Sequence, residues 1–298
     1  MSGATTQADR GRAPIMVTGA AGTVGRALVE ELLSSGHPPL AVVRPGSDAD
    51  FEGRVQTVQA DLDSDEAMGD ALVRVRSLCL ITPLRPRQDE LQSRLVRMAR
   101  ACGVERIVKV SALGAASESP IRVHREHGRA DRVLESSGVA YALLRPNAFM
   151  QNSLQWRSTI AARGTLELPI GEARVSFVDA RDVAACAAAA LLEPARVQGA
   201  HDLTGPEALG FAEIAGHLAR ATGTPVRYVD VPPERTAANM RAGGAPEWAI
   251  NARLGLYSTL RAGEGSLVTS AVEEITGRAP RRFADFAAQA APSFALQV

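Results

Sequence analysis

No charge of either sign predominates in this sequence: 33 Lys and Arg face 33 Asp and Glu, for a formal net charge of zero. A balanced chain has no long-range field to draw in nucleic acid or an anionic membrane surface. Cysteine is scarce. Cys79, Cys102 and Cys186 are odd in number, far apart and set in apolar stretches. That excludes a disulfide framework or zinc cluster and fits reduced, buried thiols in a cytosolic protein. The histidines His37, His124, His127, His201 and His217 form no HExxH pair and meet no CxxC, so no metal site is expected. No apolar run reaches membrane-helix length; the longest candidate, Val183 to Leu192, is about half of a bilayer span. Residues 1–12 are polar and small, without the hydrophobic segment of a signal peptide, and are expected to form a disordered tail. What remains is a cytoplasmic protein with a small-molecule partner. Its oligomeric state is left undetermined.

Hydrophobic residues make up 46% of the chain, enough for one large α/β domain or a nucleotide domain with a smaller lobe. Short apolar strands are expected at Ile15 to Val17, Leu40 to Val43, Val55 to Gln59, Leu78 to Ile81, Ile107 to Val110 and Ala140 to Leu144. Helical patterns alternate with them: Thr23 to Ser35, Ser64 to Val73 with Ser64 as N-cap, Gln88 to Cys102 stopping at Gly103, and Pro120 to Ser137 ending at Gly138. Strands separated by helices pair in parallel, because a parallel return needs a crossover. The expectation is a doubly wound parallel sheet of Rossmann type, with a ligand crevice at the carboxyl ends of its strands. Residues 13–165 form that domain. Residues 175–195, an extended stretch and the alanine-rich helix Arg181 to Leu192, return to it. Residues 166–174 and 196–298 form a smaller α/β lobe over the crevice.

The strongest signal is TGAAGTVG, Thr18 to Gly25, between a strand and a helix. Gly19 permits the tight turn, Gly22 lets the backbone approach a pyrophosphate, and Gly25 lets the helix pack closely. Thr23 and Val24 open the helix, whose N-terminal amides and dipole favour phosphate. The second strand ends on Arg44, where an NAD binder keeps a carboxylate for the ribose 2′-hydroxyl. A guanidinium fork there suits a 2′-phosphate, so NADP(H) is the expected cofactor; the alternative is a solvated loop arginine. Asp48 and Asp50 follow and oppose a phosphate. Asp61 either accepts from the adenine amino group, with Leu62 against the ring, or caps the next helix. Thr82, after the fourth strand, completes the expected nucleotide contacts on this side.

These segments, together with VVRPG, ADLDS, RIVKVSALGA, the stretch from His124 to Asn152, FVDARDVAACAAAAL, YVDVPPE and VEEITGRAPRRFADFA, resemble the NmrA-like branch of the atypical short-chain dehydrogenase/reductases. The resemblance covers nearly the whole chain after Pro14. It implies NADP(H) binding, cytoplasmic location and reduction of quinones, dyes or enone-like compounds, or else redox sensing without turnover. It places Ser111 and His127 as candidate catalytic groups that also border the cofactor, and Pro146 and Asn147 beside the nicotinamide. Phe149, Met150 and Trp248 are candidate substrate contacts, with Trp156, Met240 and Tyr257 as further cavity residues; each has core packing as its alternative. His124 is expected at the surface.

One departure bears on the chemistry. Short-chain dehydrogenases use a Tyr-x-x-x-Lys pair, and the only tyrosines here are Tyr141, Tyr228 and Tyr257. The aligned helix carries Val123 at the tyrosine position and His127 at the lysine position. Ketone reduction builds a basic alkoxide that needs a positioned acid. A quinone, enone or imine spreads the charge, so a site without the tyrosine suits a conjugated acceptor. The competing readings are an NADP(H)-binding regulator and a non-redox use of the fold, since fold alone does not settle function.

Overall fold

Runs of buried apolar residues make the central strands. The computed structural model describes residues 15–49 and 51–294, so the expected tail at 1–12 lies outside the described residues. Ile15–Val17 (β1) and Leu40–Val43 (β2) are buried throughout. Gln56–Gln59 (β3) is mostly exposed, and Ser77–Leu80 (β4) is again fully buried. Arg106–Val110 (β5) and Ala140–Pro146 (β6) follow. Strands buried on both faces are the mark of a sheet covered by helices on each side. The sheet has seven strands in the order β3-β2-β1-β4-β5-β6-β9, with β9 at Gly199–Leu203. β1 pairs in parallel with β2 and β4, β2 with β3, and β4 with β5. The strand order reverses beside β1, which is where a doubly wound sheet opens its ligand crevice. β9, which covers the Ala200 to Leu203 stretch expected as a short strand of the smaller lobe, pairs at the edge of this sheet beside β6. Its alternating polar sequence hides the pairing that adds it to the large sheet.

The chain divides into two compact units. Within the described residues the first comprises 15–110, 130–143 and 184–200, and the second 111–129, 144–183 and 201–294. Segments 111–129 and 144–165, expected in the nucleotide domain, therefore group with the second unit. The first follows β5 and the second begins with the last residues of β6, where the chain leaves the sheet.

In the first unit, Thr23–Ser34 (α1) buries Val24, Leu28 and Leu32, which recur at helical spacing. Asp65–Leu72 (α2) starts at Ser64, whose hydroxyl accepts from the Ala67 amide at 3.2 Å, and Gln88–Ala101 (α3) follows. Met68, Leu72, Leu91 and Leu95 pack with Met16, Val42, Leu78 and Leu80 of the strands. Each fully buried Leu or Met contributes about 1.5–3 kcal/mol. Arg122–Glu135 (α4) crosses from the second unit into the first.

The second unit holds Arg157–Arg163 (α5), Thr165–Leu168 (β7) and Arg174–Val175 (β8). Ala180–Leu192 (α6) passes from it into the first unit. Beyond β9 come Leu209–Gly210 (β10), Phe211–Thr222 (α7), Arg227–Asp230 (β11), Pro233–Ala242 (α8), Glu247–Arg261 (α9), Ala271–Thr276 (α10) and Phe283–Phe294 (α11). β10 pairs antiparallel with β8, and β11 parallel with β7. The core is aromatic. Phe177 meets Trp156, Phe211 and Phe283 with centroids 5.7–6.5 Å apart, the tilted and edge-on arrangements that ring quadrupoles favour.

Candidate functional site

The turn after β1 is held from both sides. Thr18 is fully buried. Its amide donates to Cys79 O (3.1 Å), its hydroxyl to Ile81 O (2.8 Å), and it accepts from the Ile81 amide (2.9 Å). Ala20 N donates to Val42 O at 3.2 Å. These bonds pin the turn to the ends of β4 and β2. Gly19 has φ +61°, and a Cβ there would lie 2.9 Å from Ile81 O. At Gly25 a Cβ would lie only 2.2 Å from Gly19 O, so the helix rests directly on the turn.

Gly22 is the N-cap of α1 and is exposed, with no side-chain cap and no acidic residue in the first turn. The first intrahelical bond runs from Arg26 N to Gly22 O (2.8 Å). The amides of Thr23, Val24 and Gly25 precede it and face the helix end, where the dipole is positive. This cradle, kept open by the missing side chain at the exposed Gly22, fits a dinucleotide pyrophosphate.

Arg44 is exposed at the head of a tight turn. Ser47 N donates to Arg44 O at 3.0 Å, Pro45 takes the second position, and Gly46 has φ +74°. That is the chemistry of a type II turn, and it holds Arg44 at the carboxyl end of β2. Asp48 is also exposed; Asp50 lies outside the described residues. Asp61 forms a local turn, accepting from the Asp63 amide at 3.0 Å. The cap of α2 is Ser64, so the capping alternative for Asp61 falls. Leu62 is half-buried against the first core. Thr82 accepts from Gln92 Nε2 at 2.6 Å. The thiol of Cys79, behind the turn, is pushed up to about 12 by burial and stays protonated.

A groove of about 540 Å³ also lies in this unit, lined by Asp63, Arg85, Arg87 and Arg94 among others. Three of its four arginines, Arg85, Arg87 and Arg94, are matched by Asp63, Glu90 and Asp65. It is a surface where most cations already have carboxylate partners, unlike the uncapped helix end at Gly22.

In the second unit, Ser111 N donates to Leu144 O (2.7 Å) and Leu113 N to Pro146 O (3.0 Å), which brings Ser111 and Pro146 to neighbouring strand ends. Ser111 is buried. Asn147 spends its carboxamide inside the protein: Nδ2 donates to Ser176 Oγ and Gly265 O, both at 2.8 Å, and Oδ1 accepts from the Ala148 amide at 2.9 Å. Phe149 is half-buried and bridges to Val178. Met150 is a correction. It is 1% exposed within the aromatic core, because the 3-10 turn Met150–Trp156 directs it inward. Trp248 is half-buried at the start of α9.

α4 carries buried Val123 and half-buried His127 one turn apart. Its Gly128 lies against the backbone of Ala116, where a Cβ would come within 2.2 Å. His124, expected at the surface, is buried beside Gly114. Burial holds its pKa below the ordinary histidine value, and Glu264 opposes that shift. Lys109 is the chain's only lysine. It is fully buried on β5 and bonds Asp131 of α4 at 2.7 Å.

Asp179 and Asp182 tie down the start of α6. Burial pushes the Asp179 carboxyl up, but bonds from Arg181 and Gln151 outweigh it and the net shift is downward. Asp182 stays above its ordinary value through burial, despite its bonds from Arg281. Thr18, Gln92 and the Asp179 anchor escaped the sequence reading; only the recurrence of Asp in FVDARDVA hinted at the last.

The profile of an NAD(P)H-binding family matches residues 19–194, more than half of the chain. The NAD(P)H azoreductase of Xenophilus azovorans is 36% identical over 282 residues, covering 94% of this chain and 99% of that protein. The (4-alkanoyl-5-oxo-2,5-dihydrofuran-3-yl)methyl phosphate reductase of Streptomyces griseus is 34% identical over 287 residues, again covering 94% and 99%. Among solved structures, the Citrobacter sp. triphenylmethane reductase complexed with NADP(H) superposes with a TM-score of 0.82 at 22% identity, over 93% of this chain and 99% of that one. Among the described residues no helix is long and apolar enough to cross a membrane.

Proposed function

Since the chain belongs to this NAD(P)H-binding family, we propose that it is an NADPH-dependent reductase of a conjugated small molecule, of the NmrA-like branch of the atypical short-chain dehydrogenase/reductases that its sequence resembles. The observation that carries the reading is the fate of the lone lysine. Lys109 is sealed against Asp131, and α4 offers Val123 and His127 where a proton-donating pair would stand. A ketone reductase needs an acid at that place. A quinone, enone or imine stabilises the transferred electron pair by delocalisation and takes its proton from water or a weak donor. Azo and oxo-dihydrofuran groups, in the names of two relatives, are acceptors of this conjugated kind.

The cofactor, when bound, supplies a hydride. The amides of Thr23, Val24 and Gly25 hold its pyrophosphate, and Gly19 and Gly22 keep that surface free of side chains. Arg44 meets the 2′-phosphate and selects NADPH over NADH. Asp61, Leu62 and Thr82 frame the adenosine half. The nicotinamide half falls to Ser111, His127, Pro146 and Asn147 on this reading, Asn147 by positioning its strand end and Ser111 or His127 as a weak proton donor. Phe149 and Trp248 offer apolar surface to the acceptor. The experiment is NADPH oxidation against quinones, enones, imines, azo compounds and simple ketones. Turnover confined to the conjugated classes is expected. Equal turnover of simple ketones refutes the acceptor class, and NADPH binding without turnover of any compound favours a regulator.

A further inference from the structure

α1 and the connection between β2 and β3 are fastened together at two points, and one of the fasteners is a cation beside the phosphate turn. We propose that Arg26 is a second reader of the 2′-phosphate, acting with Arg44. The inference rests on the NADPH reading of the same site.

Arg26 is the fourth residue of α1. Its Nε donates to Ala21 O, within the glycine turn, at 3.0 Å. That direction, back toward the helix N-terminus, is the one helical side chains favour. Its guanidinium lies over the Phe51 ring, 5.7 Å from the centroid. Phe51 is 5% exposed and sits on the connection that opens with Arg44. Further along that connection Arg54 grips Glu30 through two bonds of 2.7 and 2.8 Å. Glu30 is one turn beyond Arg26 on the same face of α1. Arg26 is therefore the fastener at the phosphate end of the helix.

Its remaining donors have a different fate from those of Arg54. No carboxylate pairs with Arg26 or Arg44 among the described residues. Arg26 has one edge on Ala21 O and one face on a ring, so its two terminal amino groups are held in place and left to bind. A phosphate monoester carries about 1.5 to 2 negative charges near neutrality, more than one guanidinium neutralises. Asp48 adds a negative charge to the same connection. A second fixed cation answers both demands, and a planar guanidinium stacked on a ring is weakly hydrated and suited to the task.

The test uses the full chain, titrated with NADPH and NADH by calorimetry, as the parent and as Arg26→Met, Arg26→Lys and Phe51→Leu. Arg26→Met is expected to weaken NADPH by about tenfold or more, the scale of one charge-assisted contact, with NADH changed less than about twofold. Arg26→Lys should keep part of the preference, having charge without the fork. Phe51→Leu should weaken NADPH by roughly threefold, through loss of the ring face. Arg26 is exposed, so melting temperatures should stay level. An unchanged NADPH-to-NADH ratio in Arg26→Met overturns the proposal. So does an equal loss for both cofactors, which would assign Arg26 to the pyrophosphate. Equal affinity of the parent for both cofactors would instead defeat the underlying NADPH reading, before any variant is made.

Discussion

Two glycines in one turn should respond to a side chain in opposite ways. At Gly22 the backbone, φ −78° and ψ 175°, is extended and open to any residue. An added Cβ would lie 3.2 Å from Gly19 O, a few tenths of an ångström too close. The cost of Gly22→Val is then mainly that of a poorer N-cap, about 1 kcal/mol. In a chain of this size that lowers Tm by roughly 2–4 °C. At Gly25 the Cβ would lie 2.2 Å from the same oxygen and 2.7 Å from Ala20 Cα, both backbone atoms. Ordinary contact begins near 3.4 Å, so α1 would have to recede by roughly 1.2 Å (3.4 − 2.2). Overpacking of this kind costs about 1–3 kcal/mol or more, and here it also displaces the amides that bind phosphate. Differential scanning fluorimetry and NADPH titration on both variants separate the effects. Gly22→Val should fold and fail to bind; Gly25→Ala should lose stability and binding together. Saturable NADPH binding by Gly22→Val would refute the cradle, and a fully stable Gly25→Ala would refute the close approach.

Arg44→Ala should remove about 1–3 kcal/mol of NADPH preference and leave NADH binding nearly unchanged; equal loss for both cofactors in fluorescence titrations would place Arg44 elsewhere. Lys109→Met should destabilise the protein by about 3–5 kcal/mol in urea unfolding, because it strands the Asp131 carboxylate in the core. The double variant with Asp131→Leu should recover most of that loss, and no recovery would show that the pair was not the cause. His124 should make the protein acid-sensitive. Its folded pKa lies below the ordinary value near 6.5, so as pH falls through 6.5 the unfolded chain takes up a proton that the folded ring refuses. Stability then drops until the lower folded pKa is reached. His124→Gln should flatten this limb between pH 7.5 and 5.5, and an unchanged slope would remove His124 from the explanation.

The inner strands of the sheet were legible because they are buried on both faces, so a run such as Leu40 to Val43 declares itself without reference to a partner. β4 proved one residue earlier than its apolar run suggests, and β6 two residues longer. β7 was missed, because Thr165 to Leu168 mixes a buried face with Glu167 amid Gly and Arg punctuation. The glycine turn was legible since each glycine answers a local constraint. Side-chain fates were less so. Met150 and Phe149 are adjacent and both apolar, yet only the turn of the backbone decides which one enters the core. His124 and His127 share one helix, and His124 is the more deeply buried because Gly114 lies against its ring. The clamp of Arg26 on Phe51 joins residues whose relation no spacing rule encodes.

The most direct test of the central claim follows deuterium from NADPH labelled at the nicotinamide C4 into the product of the best conjugated acceptor, for the parent and for His127→Ala. If the protein is a hydride-transferring reductase without a dedicated acid, the label appears in the product, the deuterated cofactor reacts more slowly, and His127→Ala lowers kcat only modestly with NADPH affinity intact. Loss of about a hundredfold or more in kcat on removing His127 would make it the catalytic acid, and absence of label from every product would contradict hydride transfer altogether.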